Sequence, residues 1–490
     1  MKATKILLAA LLVLALGFCF VSCGGDKPVS TGEDTAMPVT TAEGEQLDIP
    51  TTADFGGEDF NILSTGNIAC NDFDYQEESS LALDNAQYKR KRLVEQNYNV
   101  VINEEVKVAN STGSGYGFMQ ISQAVNSGEC NYDLALIAGY DVAVLAYNNY
   151  LYDMNSIPGI DLTKSWWDQK ANESLAVQDV MFFTTGEITV SDNNAAFVIM
   201  FNKDLIRDYE LESPYDLVYD GKWTMEKFAS MCKTVTEDLN QDGMMGDDDR
   251  FGLLVWDDSI VGIVNAAGER CCTVNANGVI ELTLYNETTL QAIDTYLSIS
   301  NDTQYAYTYQ RHGGGVAYEQ QLWSGNHGLF WTTYMGIIPK FREMESDFGL
   351  LPYPKLNAEQ DAYYTTVAPW NSQYICVPLY QNDVERTGII TEALAYYGQQ
   401  ISTPAYYDVN LIGQNTRDEE SSDMLEIIFD NLVFDFGYLY RVGNYNKQLM
   451  EMIRNFDTNF TSRYDTYKAS AEIMLKIINE EYMAAVENWK

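Results

Sequence analysis

Apolar and polar positions follow two different periods after residue 55. Short apolar runs, typical of buried strands, occur at Asp59–Ser64, Val100–Asn103 and Tyr132–Ile137. Between them, residues 81–98 and 118–125 place apolar side chains at helical spacing. A strand–helix–strand order of this kind predicts right-handed βαβ crossovers, and therefore a mostly parallel sheet with helices on both faces.

A second alternation begins further along the chain. An apolar run at Ala196–Phe201 is followed by a helical pattern at Met225–Val235 and by another apolar run at Phe251–Val255. From about residue 391 helical periodicity dominates, and it includes residues 470–489. The pattern therefore predicts an α/β protein with two sheets and with extra helices at the C-terminus.

The N-terminus has the pattern of an export signal. Lys2 and Lys5 precede an unbroken apolar run from Ile6 to Leu16, which is shorter than the ~20 residues that span a bilayer. The following Val21–Gly24 resembles a bacterial lipobox, which implies lipidation of Cys23. We expect a signal peptide at 1–22 and a protein outside the cytoplasm, lipid-anchored to the bacterial cell membrane.

Residues 23–54 are rich in Thr, Gly, Pro and acidic residues and contain few large apolar side chains. Such a segment cannot bury enough surface to fold by itself. We predict a disordered tether between the lipid and the folded part.

The composition restricts the partners. Asp and Glu number 71 against 30 Lys and Arg, for a formal charge of −41, and the longest basic run is Lys89–Arg92 within a helical pattern. Binding to nucleic acid or to anionic lipid requires a basic surface, so neither is expected. A strongly negative field favours neutral or cationic ligands, and aromatic residues make up 13% of the chain.

Six cysteines remain after processing at Cys23. They are scattered along the chain and show no metal-binding spacing, which favours free buried thiols, although pairing outside the cell stays open. They are Cys70, Cys130, Cys232, Cys271, Cys272 and Cys376.

Four blocks, in their order and spacing, resemble the extracellular solute-binding proteins of carbohydrate ABC importers, the maltose-binding-like type. The first block combines Asn131–Ala135 with Leu151–Met154, and the others are Phe201–Leu205, residues 214–224 and Phe348–Lys355. The resemblance implies a two-lobe periplasmic-binding-protein fold, type II-like, that closes on a sugar. It also implies an ABC permease as partner, a monomer, and no enzymatic activity or functional cofactor.

The family layout assigns residues 55–193 and 314–358 to a first lobe and residues 194–313 and 359–490 to a second. Sugar binding uses aromatic faces together with carboxylates and amides that bond hydroxyls. Such residues at strand ends and at the crossings between lobes are the predicted ligand-binding set: Tyr140, Asp141, Asn193, Asn194, Trp256, Asp257, Asp258, Trp331, Tyr334, Trp370 and Asn371.

An acidic loop at 238–249 has the ligand spacing of a calcium-binding loop. Oxygen donors occupy loop positions 1, 3, 5 and 12, with a backbone carbonyl at position 7 and Gly243 at the sharp turn. The predicted metal ligands are Asp238, Asn240, Asp242, Met244 and Asp249. Because Asp249 is shorter than the usual Glu and a strand pattern follows, a structural Ca²⁺ and a solvated acidic turn both stay open.

Two other functions also remain open. With 71 carboxylates, a surface glycoside hydrolase needs only one acid/base pair about 5–9 Å apart, and a glycan-binding adhesin needs no transporter. No phosphate-binding loop and no second membrane span occur in the sequence, so the chain is neither an ATPase nor a permease.

The lipobox resemblance generates the first prediction. Replacing Cys23 by Ser removes the thiol that carries the lipid, so the protein moves from the membrane to the soluble fraction. Fractionation followed by immunoblotting measures the shift, with Cys130→Ser as the control. An unmodified Cys23 in mass spectra of the membrane form contradicts the prediction.

Overall fold

The computed structural model describes residues 45–67, 71–75, 79, 81–308, 315–407 and 418–489. The predicted signal peptide, Cys23 and Cys70 lie outside the described residues. In the described part of the chain, no helix combines the length and the hydropathy needed to cross a bilayer.

Fourteen strands are found in the described residues, and several match the sequence prediction within one or two residues. In chain order they are β1 Glu58–Gly66, β2 Val100–Val108, β3 Leu134–Ala138, β4 Phe183–Thr184, β5 Phe197–Asn202, β6 Phe251–Val255, β7 Cys272–Val274, β8 Ile280–Leu282, β9 Ala306–Thr308, β10 Gly328–Tyr334, β11 Phe348–Leu351, β12 Thr365–Thr366, β13 Gln373–Cys376 and β14 Leu432–Val433.

The helices cover both faces of the sheets and dominate the C-terminal part, as predicted. They are α1 Ala82–Tyr98, α2 Tyr116–Ser127, α3 Gly139–Tyr147, α4 Gln169–Leu175, α5 Ser191–Ala195, α6 Lys203–Asp208, α7 Pro214–Tyr219, α8 Met225–Val235, α9 Ser259–Ala266, α10 Glu287–Ser300, α11 Gly315–Ser324, α12 Val384–Tyr397, α13 Thr403–Ala405, α14 Glu419–Phe429, α15 Phe436–Leu439, α16 Tyr445–Arg454 and α17 Phe460–Trp489.

Local sequence explains several of these helix boundaries. The side chain of Thr224 accepts a hydrogen bond from the backbone N–H of Lys227 and caps α8, and Asn202 caps α6 in the same way. Such caps satisfy N–H groups that the first helical turn leaves unpaired.

Two five-stranded sheets form the two lobes. The first sheet has the order β2-β1-β3-β13-β4, and the second has the order β11-β5-β10-β6-β9. In the first sheet β1 pairs in parallel with β2 and β3, whereas β13 is antiparallel to β3 and β4. In the second sheet β5 is the antiparallel strand, paired with β10 and β11. Each sheet therefore contains one reversed strand, and that strand follows a crossing between the lobes.

Strand pairing corrects the predicted lobe boundaries. Strands β10 and β11 lie within residues 314–358, which were assigned to the first lobe, but both belong to the second sheet. Strand β13 lies within residues 359–490, which were assigned to the second lobe, but it pairs with β3 in the first. The physical reason is that a strand's lobe depends on its partner, which is distant in sequence, and local periodicity carries no information about that partner.

The predicted tether is also too long. The compact unit begins at Glu45. The backbone N–H of Ala53 donates to the carbonyl of Asn97 at 3.0 Å, and the hydroxyl of Tyr98 donates to the carbonyl of Pro50 at 2.8 Å. Leu47 also packs against the core. Residues 45–54 are therefore part of the first lobe.

A buried carboxyl group joins two tryptophans in the first lobe. The indole N–H groups of Trp166 and Trp167 each donate to Glu392 at 3.0 Å, and all three residues are buried. Burial raises the pKa of Glu392 to about 7, although these donors and the backbone N–H of Asp161 oppose the shift. The folded protein therefore binds a proton at this site more tightly than the unfolded chain does.

The Glu392 environment generates a prediction about pH. Because its pKa is higher in the folded state, this group makes stability fall as pH rises from about 4.5 to about 7. Glu392→Gln removes the titration, so the fall in melting temperature between pH 5 and pH 7.5 becomes smaller than in the wild type. Glu385→Gln, an exposed position on the same helix, should keep the wild-type dependence. Equal slopes in all three proteins contradict the prediction.

Candidate ligand-binding site between the lobes

Strand ends from both sheets meet where the chain crosses between the lobes. The first crossing, residues 185–196, and the second, residues 367–372, are hydrogen-bonded to each other through the N–H of Ala368 and the carbonyl of Ala195, at 3.0 Å. The N–H of Met335, after β10, donates to Ala196 at 2.9 Å, and Asn67, after β1, donates to the carbonyl of Trp370 at 2.8 Å. The junction therefore combines elements of both sheets, as expected for ligand sites at strand ends.

Three of the predicted aromatic residues form one cluster at this junction. Trp256 follows β6, Tyr334 ends β10, and Trp370 lies in the second crossing. The ring centroids of Trp256 and Tyr334 are 5.4 Å apart, and the Trp370 centroid lies 6.5 Å from each of them. Tyr334 and Trp370 are half-buried, and Trp256 is 7% exposed. Two of the three rings therefore keep part of their surface accessible to solvent, and accessible aromatic rings can pack on the apolar C–H groups of a sugar.

Polar side chains from opposite lobes meet next to this cluster. Tyr140, the second residue of α3 in the first lobe, accepts a hydrogen bond from the Nδ2 of Asn446 at 2.7 Å. The guanidinium of Arg441 lies 5.3 Å from the Tyr140 ring. Burial raises the pKa of the Tyr140 hydroxyl, and the negative charge of Asp258 adds to the shift. The charge of Asp258, which precedes α9 in the second lobe, therefore acts on Tyr140 in the first lobe.

Asn371 is buried, and its side-chain amide makes no hydrogen bond within the described part of the chain. It is 2% exposed, and among the described residues neither its amide oxygen nor its amide nitrogen has a hydrogen-bond partner. Its turn is fixed against the first sheet, because the N–H of Gly139 donates to the carbonyls of Pro369 and Ser372 at 2.9 and 3.2 Å. Unpaired buried amides are rare in native proteins, so this position has unused capacity to bind a polar group.

Three of the predicted ligand-binding residues make structural contacts within one lobe. Trp331 is 1% exposed and packs against Trp323 and Phe341 in the core of the second lobe. Asp257 is fully buried and forms an ion pair with Arg454. Trp331 lies inside β10 and Asp257 lies just after β6, and the contacts of both side chains are within the second lobe.

Asp141 is the third of these residues. It is 2% exposed, and one of its carboxylate oxygens accepts hydrogen bonds from the backbone N–H groups of Thr112, Gly113 and Gly115 at 3.1, 2.8 and 3.0 Å. These bonds hold the loop before α2 against α3. This carboxylate oxygen therefore stabilises the loop.

The two predicted asparagines of the first crossing are half-buried. The side-chain oxygen of Asn194 accepts a hydrogen bond from the hydroxyl of Tyr406 at 3.0 Å. Asn193 lines a cavity of about 390 Å³ between first-lobe residues and the C-terminal end of α14. Further lining residues, which the sequence prediction missed, are Trp167, Asp168, Glu187, Asp192, Tyr407 and Phe429.

The carboxyl groups of this cavity interact with one another. Burial raises the pKa of Asp192 to about 8, and the charges of Asp168 and Glu187 add to the shift. Burial also raises the pKa values of Asp168 and Glu187. Lys170 donates to the carbonyls of Phe429 and Asp430. The cavity is consequently suited to hydroxyl groups or to a cation, and unsuited to an anion.

A larger cavity, of about 550 Å³, lies elsewhere on the first lobe. It is lined by polar residues of β1, β2 and α2, and by residues just before β3, including Asn61, Glu105, Gln120 and Tyr132. It lies toward the amino end of β3, whereas Tyr140 and the crossings lie at the carboxyl end. We therefore take the junction between the lobes as the functional site.

The acidic loop closes through its own backbone. Asp238 accepts hydrogen bonds from the N–H groups of Gln241 and Gly243 at 2.7 and 2.8 Å, and Asp249 accepts from Leu239 and Gly246 at 2.9 and 2.7 Å. The N–H groups of Asp242 and Met244 bond to Asn240 and Asp242. Within the described ranges, no three Asp, Glu, His or Cys side chains are grouped as metal ligands, so the calcium site stays a prediction.

The described cysteines are free. Cys130, Cys232, Cys271, Cys272 and Cys376 are all buried and form no disulfide. For these five residues the interpretation as buried thiols is confirmed. Burial raises the pKa values of Cys232 and Cys376, which makes these thiols poor nucleophiles.

Solved structures of similar fold include several solute-binding proteins. An ABC substrate-binding protein from Listeria monocytogenes, in complex with cycloalternan, has a TM-score of 0.54 at 13% identity, over 86% of this chain and 98% of that one. The GacH receptor of Streptomyces glaucescens, studied unliganded and with acarbose, has 0.53 at 11% identity over the same shares. The maltose-binding protein MalE from Listeria monocytogenes, with maltose, has 0.51 at 13% identity, over 87% and 98%.

At these identities the likeness shows the fold alone, and it confirms the predicted two-lobe architecture. No curated protein sequence matches the chain. The model of the bacterial extracellular solute-binding protein family matches residues 89–375, which is more than half of the chain. The matched range includes both crossings and all of β5, and it ends within β13. The chain belongs to the family of bacterial extracellular solute-binding proteins.

Proposed function

We propose that the protein captures a carbohydrate outside the cytoplasm and delivers it to an ABC permease while anchored to the membrane through Cys23. The observation that carries the proposal is the cluster of Trp256, Tyr334 and Trp370 at the lobe junction, surrounded by amides and carboxyls. Three proteins of similar fold are described in complex with cycloalternan, acarbose or maltose. These names support a saccharide as the ligand class.

The proposed capture uses both lobes. Half-buried rings of Tyr334 and Trp370 supply apolar area against one face of a sugar ring, while Asn193, Asn371 and Asp258 supply hydrogen-bonding groups for its hydroxyls. Motion of the lobes about the crossings admits the sugar and then removes it from water. The negative charge of the chain and the acidic cavity favour a neutral or basic saccharide over a sugar phosphate or a uronic acid.

The sharpest test compares cleft and core aromatic residues. Removing the ring of Trp370 or Tyr334 by substitution with Ala should weaken binding of the best oligosaccharide about 5- to 150-fold, the equivalent of ~1–3 kcal/mol of lost apolar burial. Trp331→Ala is the matched control: it should lower stability by about 3–5 kcal/mol and leave the dissociation constant of the folded protein unchanged.

Calorimetric titration against a panel of neutral, basic and acidic oligosaccharides measures these constants, and melting curves measure stability. Wild-type affinity in both Trp370→Ala and Tyr334→Ala contradicts the assigned site. Cleavage of the sugar during titration favours the glycoside hydrolase alternative, because a transport protein releases its ligand intact. Tight binding of a sugar whose uptake by the cell does not depend on an ABC permease favours the adhesin.

We further propose that the 238–249 loop holds a structural Ca²⁺. The ligand spacing supports this, and so does the concentration of negative charge that a cation offsets. Chelation should lower the melting temperature of the wild type, because a ligand that binds only the folded state stabilises it. Asp238→Asn should reduce this sensitivity, whereas Asp220→Asn, an exposed position outside the loop, should preserve it. Unchanged melting in chelator, with no calcium by elemental analysis, contradicts the proposal.

A further inference from the structure

Asn446 leaves one polar atom of its side chain unpaired at the lobe junction. The residue is 5% exposed, and its Nδ2 donates to the Tyr140 hydroxyl at 2.7 Å. Its Oδ1 is buried and has no hydrogen-bond partner among the described residues. Reversing the amide would only exchange the two atoms, so either orientation leaves one of them unpaired. An unpaired buried polar atom is costly and therefore calls for a partner.

The helix that carries Asn446 is fixed to the second lobe. In α16, Arg454 donates through Nε to Asp257, directly after β6, at 2.5 Å, and α16 packs against α9, which follows the same strand. Tyr140 instead follows β3 of the first lobe. The hydrogen bond between Asn446 and Tyr140 therefore runs from one lobe to the other.

Arg441 makes a second contact between the lobes, beside this hydrogen bond. The Nη1 of Arg441 donates to the carbonyl of Thr112 in the first lobe at 2.6 Å, and its guanidinium lies over the Tyr140 ring. Arg441 and Asn444 both have left-handed backbone conformations, with φ of 56° and 51°. The left-handed region is unfavourable for a residue such as arginine and is tolerated better by asparagine, and here the two residues flank the turn that precedes Asn446.

The remaining hydrogen-bonding capacity fits a pair of hydroxyl groups. The Tyr140 oxygen accepts from Asn446, which leaves the phenolic hydrogen free to be donated, while Oδ1 of Asn446 remains free to accept. A donor and an acceptor side by side match two adjacent ring hydroxyls, because each hydroxyl both donates and accepts. A single metal ion or an anion cannot satisfy both groups.

We propose that Tyr140 and Asn446 form one subsite, contributed by opposite lobes, that binds two adjacent hydroxyls of the saccharide. The inference rests on the proposed function and adds Asn446, a residue of the C-terminal helices, to the binding set. Opening of the lobes separates the two side chains and exposes them, and closing brings both onto the same part of the ligand.

The experiment is a double-mutant cycle read out as the dissociation constant of the best oligosaccharide. Asn446→Ala and Tyr140→Phe should each weaken binding about 2- to 12-fold, the range for one neutral hydrogen bond. Asn455→Ala, an exposed position just after the same helix, is the control and should bind like the wild type. Melting curves confirm that each variant is folded.

The decisive comparison is made in the Tyr140→Phe background, where the bond between the lobes is already absent. If Asn446 contacts the ligand, Asn446→Ala weakens binding further in that background. If Asn446 only positions the Tyr140 hydroxyl or holds the lobes together, it has no further effect there, and that result overturns the subsite.

Ligand analogues give the same test without altering the protein. Against the wild type, monodeoxy analogues at two adjacent positions should each bind several-fold more weakly, and the loss should disappear in the matching variant. Full affinity for every monodeoxy analogue overturns the inference while leaving the proposed function intact. Failure of the wild type to bind any oligosaccharide of the panel overturns the proposed function itself.

Discussion

The hydrogen-bonded pair of crossing segments is the constraint on which the rest of the site depends. Ala196 and Val367 form an isolated antiparallel bridge, and the next bond joins Ala368 to Ala195. Each crossing continues directly into the reversed strand of a sheet, β5 in the second lobe and β13 in the first. The two crossings are thereby attached to each other, and rotation of the lobes about them has to be absorbed by the few residues on either side.

Electrostatics restrict what this junction accepts. In a chain of charge −41, buried carboxylates need partners, and two arginines are used at such positions. Arg386 of α12 bonds to Asp133 before β3 at 2.7 Å and to Glu58 at the start of β1 at 2.7 Å, while Arg454 neutralises Asp257. A buried pair of this kind is costly to break, because the remaining charge is left uncompensated. These two arginines thus attach helices to the sheets. The lining of the 390 Å³ cavity, in contrast, contains more acidic than basic side chains.

Local patterns predicted the elements well, and long-range contacts account for the failures. Residues 225–235 and 251–255 were predicted with their observed boundaries, because periodicity and capping are properties of neighbouring residues. The assignment of β10 to the wrong lobe arose because its partners, β5 and β6, are about 75 to 130 residues away.

The same limit applies to the candidate site. Trp256 follows β6, Tyr334 ends β10 and Trp370 lies in a crossing, which sequence can locate, whereas Trp331 lies in the middle of β10 and is core. Tyr334 and Trp331 belong to the same strand, and both faces of that strand are covered by other elements. The alternation of apolar residues therefore does not indicate which side chain lies in the core. Asn446 carries no local feature at all: it is one polar residue of a helix, and only the folded chain brings it to Tyr140.

The adjacent residues Asp257 and Asp258 have identical side chains but different environments in the second lobe. Asp257 is fully buried and paired with Arg454, so it anchors α16. Asp258 remains half-buried at the start of α9. Burial and then the charge of Asp257 raise the pKa of Asp258, against the opposing effect of Arg454. Asp257 thereby positions the helix that carries Asn446, and its charge also opposes ionisation of the neighbouring Asp258.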